Sequence, residues 1–412
     1  MLRTTLIITL LNLCGLLHPV SAAMEIQIEN AVELQSFFAI PRTDVTVQLA
    51  PGVYSLAPQG AVDSSCGNCE NPDRSISITV GLHLRGSGVV LRGPADRSAI
   101  IHTDSGYGIF FEQCDSCQLV DLQITGGARD SDPNATSAAV VVKQGKVIIE
   151  RCLIRDNIGD SALVVANVVG IIGIAGREGA DLTIVGNEIL RNSWDGIALY
   201  RGARALIEHN LVDGVDQAGG SQAGGGRGVA IGVTWDAQAV VTGNLARRYW
   251  KGIGFFVDAR GVIRENIVEE MLTWGISLWD ADSGLPAAEI SDNIIFHTGA
   301  CGAAITLQQP QSQPGCFTGN LLLETAQDSR YDSPDYYCDQ CALALQAVPD
   351  NFIIRDNRFF HNRRATPELP DRDEVDTLLL PLLEHYRVTL AGDTLQRRSA
   401  FYDYLMELTS SR

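Results

Sequence analysis

The sequence predicts an all-β fold, a single-domain solenoid in which short strands stack coil upon coil as a parallel β-helix. Three observations support this prediction. Between about residues 80 and 362 a short apolar strand returns repeatedly, and its first glycines lie 23 to 32 residues apart where the repeats align best, as in a repeat architecture. An asparagine followed by aliphatic residues recurs with the strand. No amphipathic run of ten or more residues with a helical period occurs in this zone, which excludes helical repeats.

The repeated strands are predicted to form the first part of each coil. Successive side chains of a strand point to opposite faces, so Ile197 and Leu199, with their counterparts in later repeats, are predicted to fill a common interior. The residues between them then face outward. The aligned strands are 196–200, 228–232, 252–256, 275–279 and 302–306.

The recurring asparagines justify one turn of each coil. Asparagine side chains at one turn can bond from coil to coil, as stacked amide ladders do. Cys152 occupies the equivalent place in an earlier repeat, where we expect a buried free thiol. The ladder is predicted to contain Asn187, Asn210, Asn244, Asn266, Asn293, Asn320 and Asn357.

The two ends of the coil are predicted to carry caps, because an open β-helix exposes unpaired strand edges. We assign residues 24–44 to an N-terminal cap with a short helix at 33–39. Residues 45–362 then form the β-helix, and residues 363–412 form a C-terminal helical cap or tail.

The first 23 residues are predicted to be a signal peptide that is removed. Arg3 precedes an apolar run at 6–17, and small residues follow at 21–23, which is the order typical of an export signal. No later segment has the roughly 20 unbroken apolar residues of a membrane span. We therefore expect an exported protein, periplasmic or extracellular.

The repeats and the segment 45–54 (Val-Thr-Val-Gln-Leu-Ala-Pro-Gly-Val-Tyr) resemble the right-handed parallel β-helix proteins of the pectin-lyase-like superfamily, which have PbH1-type repeats. The resemblance covers about residues 45–362 and implies a right-handed coil. It is specific for the fold, and the chain matches the motif of no single enzyme family.

The net charge limits the kinds of molecule that the protein is expected to bind. The 49 acidic and 31 basic side chains give a formal net charge of −18, whereas nucleic acid and anionic lipid attract clustered Lys and Arg. We expect a monomer that binds no nucleic acid.

Disulfides are the default for cysteines in an oxidising compartment, although thiolates at CxxC spacing could also bind zinc. The three CxxC pairs are Cys66/Cys69, Cys114/Cys117 and Cys338/Cys341.

The tryptophans give the strongest functional signal, because all five fall within 86 residues. They flank the repeated strands at both ends, which would align them along the two banks of one face. Flat aromatic faces in a concave surface suit sugar rings; packing under loops is the alternative. The candidate substrate-binding residues are Trp194, Trp235, Trp250, Trp274, Trp279 and Tyr200.

Acidic residues follow the same strands. Asp236, Asp258 and Asp280 each precede alanine in successive repeats and are expected to stack about 4.8 Å apart. Glycoside hydrolysis uses paired carboxyls about 5–9.5 Å apart, so these residues and Asp195 are candidate acids and bases. A turn that favours Asp in every coil would produce the same column without catalysis.

Basic residues offer a second arrangement. A lyase or epimerase that acts on uronic acids must neutralise the sugar carboxylate and remove a proton, and Arg201, Arg227 and Lys251 could take these roles. Acidic neighbours could bind Ca²⁺, since the resemblance implies pairing of Asp-bound calcium with an arginine base. No other cofactor or metal is expected.

The sequence thus predicts an exported polysaccharide-active protein, a glycoside hydrolase or polysaccharide lyase that acts on a polysaccharide or oligosaccharide in a Trp-lined groove. Two alternatives remain open. One is a non-catalytic carbohydrate-binding or surface module, and the other is a periplasmic metal-handling protein that uses the cysteine pairs. Fold alone does not decide among them, because one fold hosts many functions.

Overall fold

The computed structural model describes residues 24–167, 169–216, 224–331, 340–363, 374 and 376–410. They form the predicted right-handed parallel β-helix, in which each complete coil contributes one strand to each of three sheets. The predicted signal peptide, residues 1–23, lies outside these ranges.

The three sheets run along the coil axis. Sheet 1 contains the first half of Ile76–Arg92 and then Tyr107–Asp115, Ala138–Lys143, Ile172–Arg177, Ile197–Leu199, Val229–Thr234, Lys251–Phe256, Trp274–Trp279, Cys301–Thr306 and Cys341–Gln346. Sheet 2 contains Met24–Ile28, Arg42–Leu49, the second half of Ile76–Arg92, Cys117–Val120, Lys146–Glu150, Asp181–Val185, Arg204–Glu208, Gln238–Thr242, Arg260–Arg264, Ala287–Ser291, Gly315–Thr318 and Ile353–Arg355. Sheet 3 contains Gly52–Ser55, Ala99–His102, Gln123–Thr125, Leu153–Arg155, Glu188–Leu190, Leu211–Asp213, Leu245–Arg247, Ile267–Glu269, Ile294–Phe296, Leu321–Leu323 and Arg358–Phe360.

The interior is filled by alternate side chains of these strands, as predicted. Ile197 and Leu199 are fully buried. Ile197 pairs with Ile174 in the preceding coil and with Ile231 in the next. Burial of one such side chain contributes about 1.5–3 kcal/mol, and the rows continue from coil to coil as one core.

The asparagine ladder forms at the turn between sheets 2 and 3. From Asn187 to Asn357, the side-chain nitrogen of each asparagine donates to the amide oxygen of the next at 2.9–3.0 Å. Each of these oxygens also accepts the backbone N–H of the preceding asparagine. The backbone N–H of Cys152 donates to Asn187 at 2.9 Å, and Cys152 is a buried free thiol.

The N-terminal helix Ala31–Phe37 begins after Asn30, whose side chain accepts the N–H of Glu33 at 3.0 Å, an ordinary helix cap. Its buried Leu34 belongs to the main core.

The C-terminal helices Asp376–Leu390 and Ala400–Ser410 pack against the outer side of sheet 3. Glu269 of that sheet accepts the N–H groups of Ala400 and Phe401 at 2.8 and 3.0 Å. Burial raises the pKa of Glu269 to about 7. The helices therefore cover the side of the coil.

The remaining helices of the described ranges are the α-helix Ser161–Asn167 and two short 3₁₀ helices, Ser329–Tyr331 and Gln396–Arg398. None of the helices in the described ranges combines the length and the hydropathy that crossing a bilayer requires.

The cysteine pairs differ from one another. Cys66 and Cys69 form a disulfide. Disulfides were the default expectation for Cys114 and Cys117 as well, with the connectivity left open, but both are buried free thiols in the core. The thiol of Cys114 donates to the carbonyl of Leu84 at 3.2 Å. Cys338 lies outside the described residues. Within the described ranges, no three His, Cys, Asp or Glu side chains gather as a metal site.

Candidate functional site

The chain segment that precedes the first strand of sheet 1 forms a loop over the outer side of that sheet. The strand Gln59–Asp63 runs antiparallel to Ile76–Arg92, and the Cys66–Cys69 disulfide lies in the loop between them. The loop is anchored where Asp63 contacts Lys143 at 2.5 Å and Arg177 at 2.9 Å.

This anchor is a buried ion-pair cluster. The side chains of Asp63 and Arg177 are fully buried, and that of Lys143 is nearly so. Burial alone would raise the pKa of Asp63, but Arg177 and Lys143 outweigh it and the pKa is lowered. Loss of one partner would leave a buried charge uncompensated, which is strongly destabilising.

The disulfide loop is tied to sheet 1 a second time. The guanidinium of Arg201 donates to the carbonyl of Cys69 and lies 3.9 Å over the ring of Trp235. The indole nitrogen of Trp235 in turn donates to the side-chain oxygen of Asn68 at 3.4 Å. These contacts hold Asn68 over the outer face of sheet 1.

The central cavity, as we call it, lies between this loop and sheet 1 and has a volume of about 180 Å³. Small residues of the strands leave room for it, while aromatic rings wall it. It is lined by Asn68, Trp194, Asp195, Ala198, Tyr200, Gly228, Val229, Gly232, Thr234, Trp250, Lys251 and Phe256.

Asp195 is the acidic group of this cavity. It is 6% exposed, and one carboxylate oxygen accepts the N–H of Val229 at 2.7 Å. Burial raises its pKa to about 7, although the hydrogen bond from Val229, the charge of Lys251 and a hydrogen bond with Tyr200 act in the opposite direction. A carboxyl with this pKa can both accept and donate a proton at neutral pH.

Lys251 supplies the cation. Its ammonium nitrogen lies 4.4 Å from the ring centre of Trp274, 5.6 Å from that of Trp250 and 6.0 Å from that of Phe256. Aromatic faces attract a cation at such distances, so the three rings hold the ammonium at the cavity wall. Tyr200 is buried, and burial raises the pKa of its hydroxyl well above 10, which keeps it protonated.

Arg227 and Arg201 lie outside the lining of the central cavity. Arg227 is fully buried, with its guanidinium carbon 5.9 Å from the ring centre of Trp194, and burial lowers its pKa. Arg201 anchors the disulfide loop, as described above.

Asp236, Asp258 and Asp280 lie in the turns between sheets 1 and 2, outside the central cavity. Each accepts a backbone N–H of a neighbouring coil: Asp236 from Gly202 at 2.7 Å, Asp258 from Leu285 at 2.9 Å, and Asp280 from Gln308 at 2.5 Å. Such bonds match the turn-forming role of Asp.

The expected column of aspartates also loses its register at Asp280. Phe256 pairs with Trp279. Asp258 comes two positions after Phe256, whereas Asp280 comes one position after Trp279.

The tryptophans divide between the two edges of sheet 1. Trp194 and Trp250 wall the central cavity at one edge, and Trp274 follows there, packed against Cys301 and Cys341. Trp235 lies at the opposite edge under the disulfide loop.

Trp279, at the same opposite edge, is 38% exposed. Its ring meets that of Phe256 edge-on at 6.4 Å.

A second cavity adjoins the first towards the N-terminal coils, and we call it the upstream cavity. Its volume is about 190 Å³, and it shares Asn68, Trp194 and Tyr200 with the central cavity. Its other walls include the disulfide loop and residues 133–137.

Asn68 and Phe256 are among the lining residues that sequence reasoning missed, which also include Ala198, Gly228, Val229, Gly232 and Thr234. Asn68 lies between the two cysteines of a CxxC pair, which marks a constrained loop but not the sheet that the loop covers. Phe256 ends an aligned strand at the position equivalent to Trp279, a signal that could have grouped it with the indoles.

Residues 74–232 match the protein family described as right handed beta helix region. A search among curated proteins found no significant match. A double mutant of the periplasmic alginate epimerase AlgG has 10% identity and a TM-score of 0.44, with 82% of this chain and 84% of that chain covered.

Two other solved structures are similarly distant. The Streptococcus pneumoniae surface protein and adhesin PfbA has 11% identity and a TM-score of 0.42, over 79% and 76% of the two chains. A hyperthermoactive exopolygalacturonase from Thermotoga maritima has 11% identity and a TM-score of 0.38, over 77% and 78%. The strand register shows a parallel β-helix, and the family match over residues 74–232 agrees with a right-handed coil.

Proposed function

We propose that the chain is an exported enzyme that acts on a polysaccharide in the central cavity, with Asp195 as its acid and base. One observation carries this proposal. The Asp195 carboxyl, with a pKa of about 7, is buried among aromatic rings in a cavity that also holds the Lys251 ammonium and the Tyr200 hydroxyl.

The walls of the cavity support a sugar as the ligand. Trp194, Trp250 and Phe256 provide flat apolar surfaces, and Asn68 and Thr234 provide polar groups beside them. Aromatic rings with a few placed polar groups are the usual means of binding and orienting a small polar ring.

The presence of a single carboxyl in the described part of the cavity favours elimination over hydrolysis. Asp195 is the only Asp or Glu among the described residues that line the central cavity, whereas the common hydrolytic mechanisms need two carboxyls about 5–9.5 Å apart. A base beside a cation suits removal of a proton next to a carboxylate. We therefore favour a lyase that acts on a uronate-containing glycan.

In this reaction Lys251 pairs with the carboxylate of the sugar. Asp195 takes the proton from C5, a double bond forms between C4 and C5, and the C4–O bond breaks. Tyr200 gives its proton to the leaving oxygen and then recovers one from Asp195, which lines the same cavity. Both side chains return to their starting states, so no further reactant is needed.

The test is a panel of neutral and uronate-containing glycans, with both the absorbance of unsaturated products and the number of new reducing ends measured. We expect unsaturated products from a uronate-containing glycan, and at least a 100-fold loss in Asp195→Asn, within the range of acid–base catalysis. Asp258→Asn, which changes an exposed acid outside the cavity, is the matched control. New reducing ends without unsaturated product would show hydrolysis instead.

A non-catalytic carbohydrate-binding module is the second candidate. The hydrogen bond that Asp195 accepts from Val229 favours it, because this bond joins adjacent coils and gives the carboxyl a structural role. Glycan binding by the folded wild-type protein, with turnover absent across the panel, would support the second candidate over the first.

A further inference from the structure

The upstream cavity has polar groups that the proposed reaction does not use. Thr136 lines it and is 5% exposed, and its hydroxyl has no hydrogen-bond partner among the described residues. Buried hydroxyls are nearly always satisfied in folded proteins. An unsatisfied one beside a cavity leaves a partner to be supplied from outside the described residues.

The segment that carries Thr136 is held rigidly. The guanidinium of Arg129 donates to the carbonyls of Pro133 and Ala135 and to the hydroxyl of Ser137. Arg129 itself is 4% exposed. Thr136 is therefore already placed before a ligand arrives, which reduces the entropy cost of binding.

The indole of Trp194 lines both cavities, and Asn68 and Tyr200 line both as well. The two cavities are therefore adjacent, and the same aromatic side chains border both. The upstream volume of about 190 Å³ is close to that of the central cavity. The two cavities thus provide two adjoining sites of similar size.

We propose that the upstream cavity is a second sugar subsite, which binds the glycan ring next to the ring held at Asp195 through the face of Trp194 and the hydroxyl of Thr136. The inference rests on the proposed function for the identity of the ligand, and it makes the substrate an oligomer or polymer. Thr136 is then a specificity-determining residue, because its hydroxyl selects a ring that carries a hydroxyl at the facing position.

The experiment measures binding, so that it does not depend on turnover. The full chain with Asp195→Asn is titrated calorimetrically with oligomers of one to five units from three series: α-1,4-galacturonan, β-1,4-mannuronan and β-1,4-glucan. We expect one series to show a rise in affinity at the added unit that fills the upstream cavity. Thr136→Val should reduce that rise about fivefold, as expected for loss of one hydrogen bond, and leave shorter oligomers unchanged.

Thr298→Val is the matched control, because Thr298 is also buried with an unpartnered hydroxyl among the described residues but lines a different cavity. Asn134→Trp, at a half-buried position in the lining, should block the upstream cavity and remove the same rise even if Thr136→Val fails to fold. Thermal unfolding of each variant shows whether it is folded.

The outcomes separate this inference from the proposed reaction. A rise that Thr136→Val or Asn134→Trp removes supports the subsite, even if the wild-type protein turns over none of the glycans. Affinity independent of length, a rise that folded Thr136→Val and Asn134→Trp both retain, or no binding in any series would overturn it, even if turnover were observed on another glycan.

Discussion

Asp195 and Gly228 fit against each other across two adjacent coils. A Cβ atom at Gly228 would lie 2.1 Å from a carboxylate oxygen of Asp195, closer than any real contact allows. The same oxygen accepts the N–H of Val229, the next residue. The absence of a side chain at position 228 is therefore what lets the carboxyl approach the neighbouring strand and become buried.

Gly228→Ala should displace the Asp195 carboxyl and lower turnover at least tenfold, because small displacements at a reacting group are costly. The overpacking should also reduce the free energy of unfolding by about 1–3 kcal/mol. Turnover and chemical denaturation measure the two effects. Gly60→Ala is the control, since Gly60 lies outside the central cavity and a Cβ there would meet no atom within 4 Å. Equal activity in the two variants would contradict the proposed fit.

The pH dependence follows from the pKa of Asp195, which burial raises to about 7. If Asp195 is the base, turnover should rise as the pH increases through about 7, because the ionised carboxylate is the active form. A pH–rate profile from pH 5 to 9 measures this. Turnover that falls over the same range would instead show that the protonated carboxyl is required.

The free energy of unfolding should fall with increasing pH, opposite to the turnover. At pH values between the ordinary pKa of an aspartate and about 7, Asp195 is protonated in the folded protein and ionised in the unfolded chain. The stability that Asp195 contributes is therefore present at low pH and is lost as the pH rises through about 7. The difference in unfolding free energy between wild type and Asp195→Asn should therefore change by about 4 kcal/mol between pH 4 and 8. Urea unfolding at several pH values measures it, and a constant difference would argue against a raised pKa.

The asparagine ladder should be most sensitive at its centre. Asn244→Ala would remove the acceptor of both the backbone N–H and the side-chain nitrogen of Asn210, and we expect a loss of about 2–4 kcal/mol. Asn357→Ala lies at the half-buried end of the ladder and should cost less. Denaturation of both variants tests this, and equal losses would show that position along the ladder does not matter.

Much of the coil could be predicted because its causes are local and repeated. Ile197 and Leu199 alternate with outward residues in the strand itself, and Asn187 to Asn357 recur at one turn. The structure gives both features as predicted. Disulfides were expected among the cysteines with their connectivity left open, and the structure joins Cys66 to Cys69 but leaves Cys114 and Cys117 as free thiols. Identical spacing does not reveal whether a pair lies in a surface loop or in the core.

The candidate site could be predicted only in part. Trp194, Trp250 and Lys251 flank aligned strands, and their sequence positions already relate them to one sheet edge. Asp195 could not be separated from Asp236 in this way, since each adjoins one of the aligned strands, Asp195 before 196–200 and Asp236 after 228–232. What separates them is burial: Asp195 is 6% exposed, and Asp236 is exposed.

By itself, the sequence determined the coil, its interior rows and its amide ladder, because period-2 strands and stacked turns specify their own neighbours. Only the tertiary structure decided which acid is enclosed. The loop that walls the cavity reaches Arg201 from Cys69, 132 residues away along the chain, and the pKa of a carboxyl depends on the water that such distant segments remove from around it.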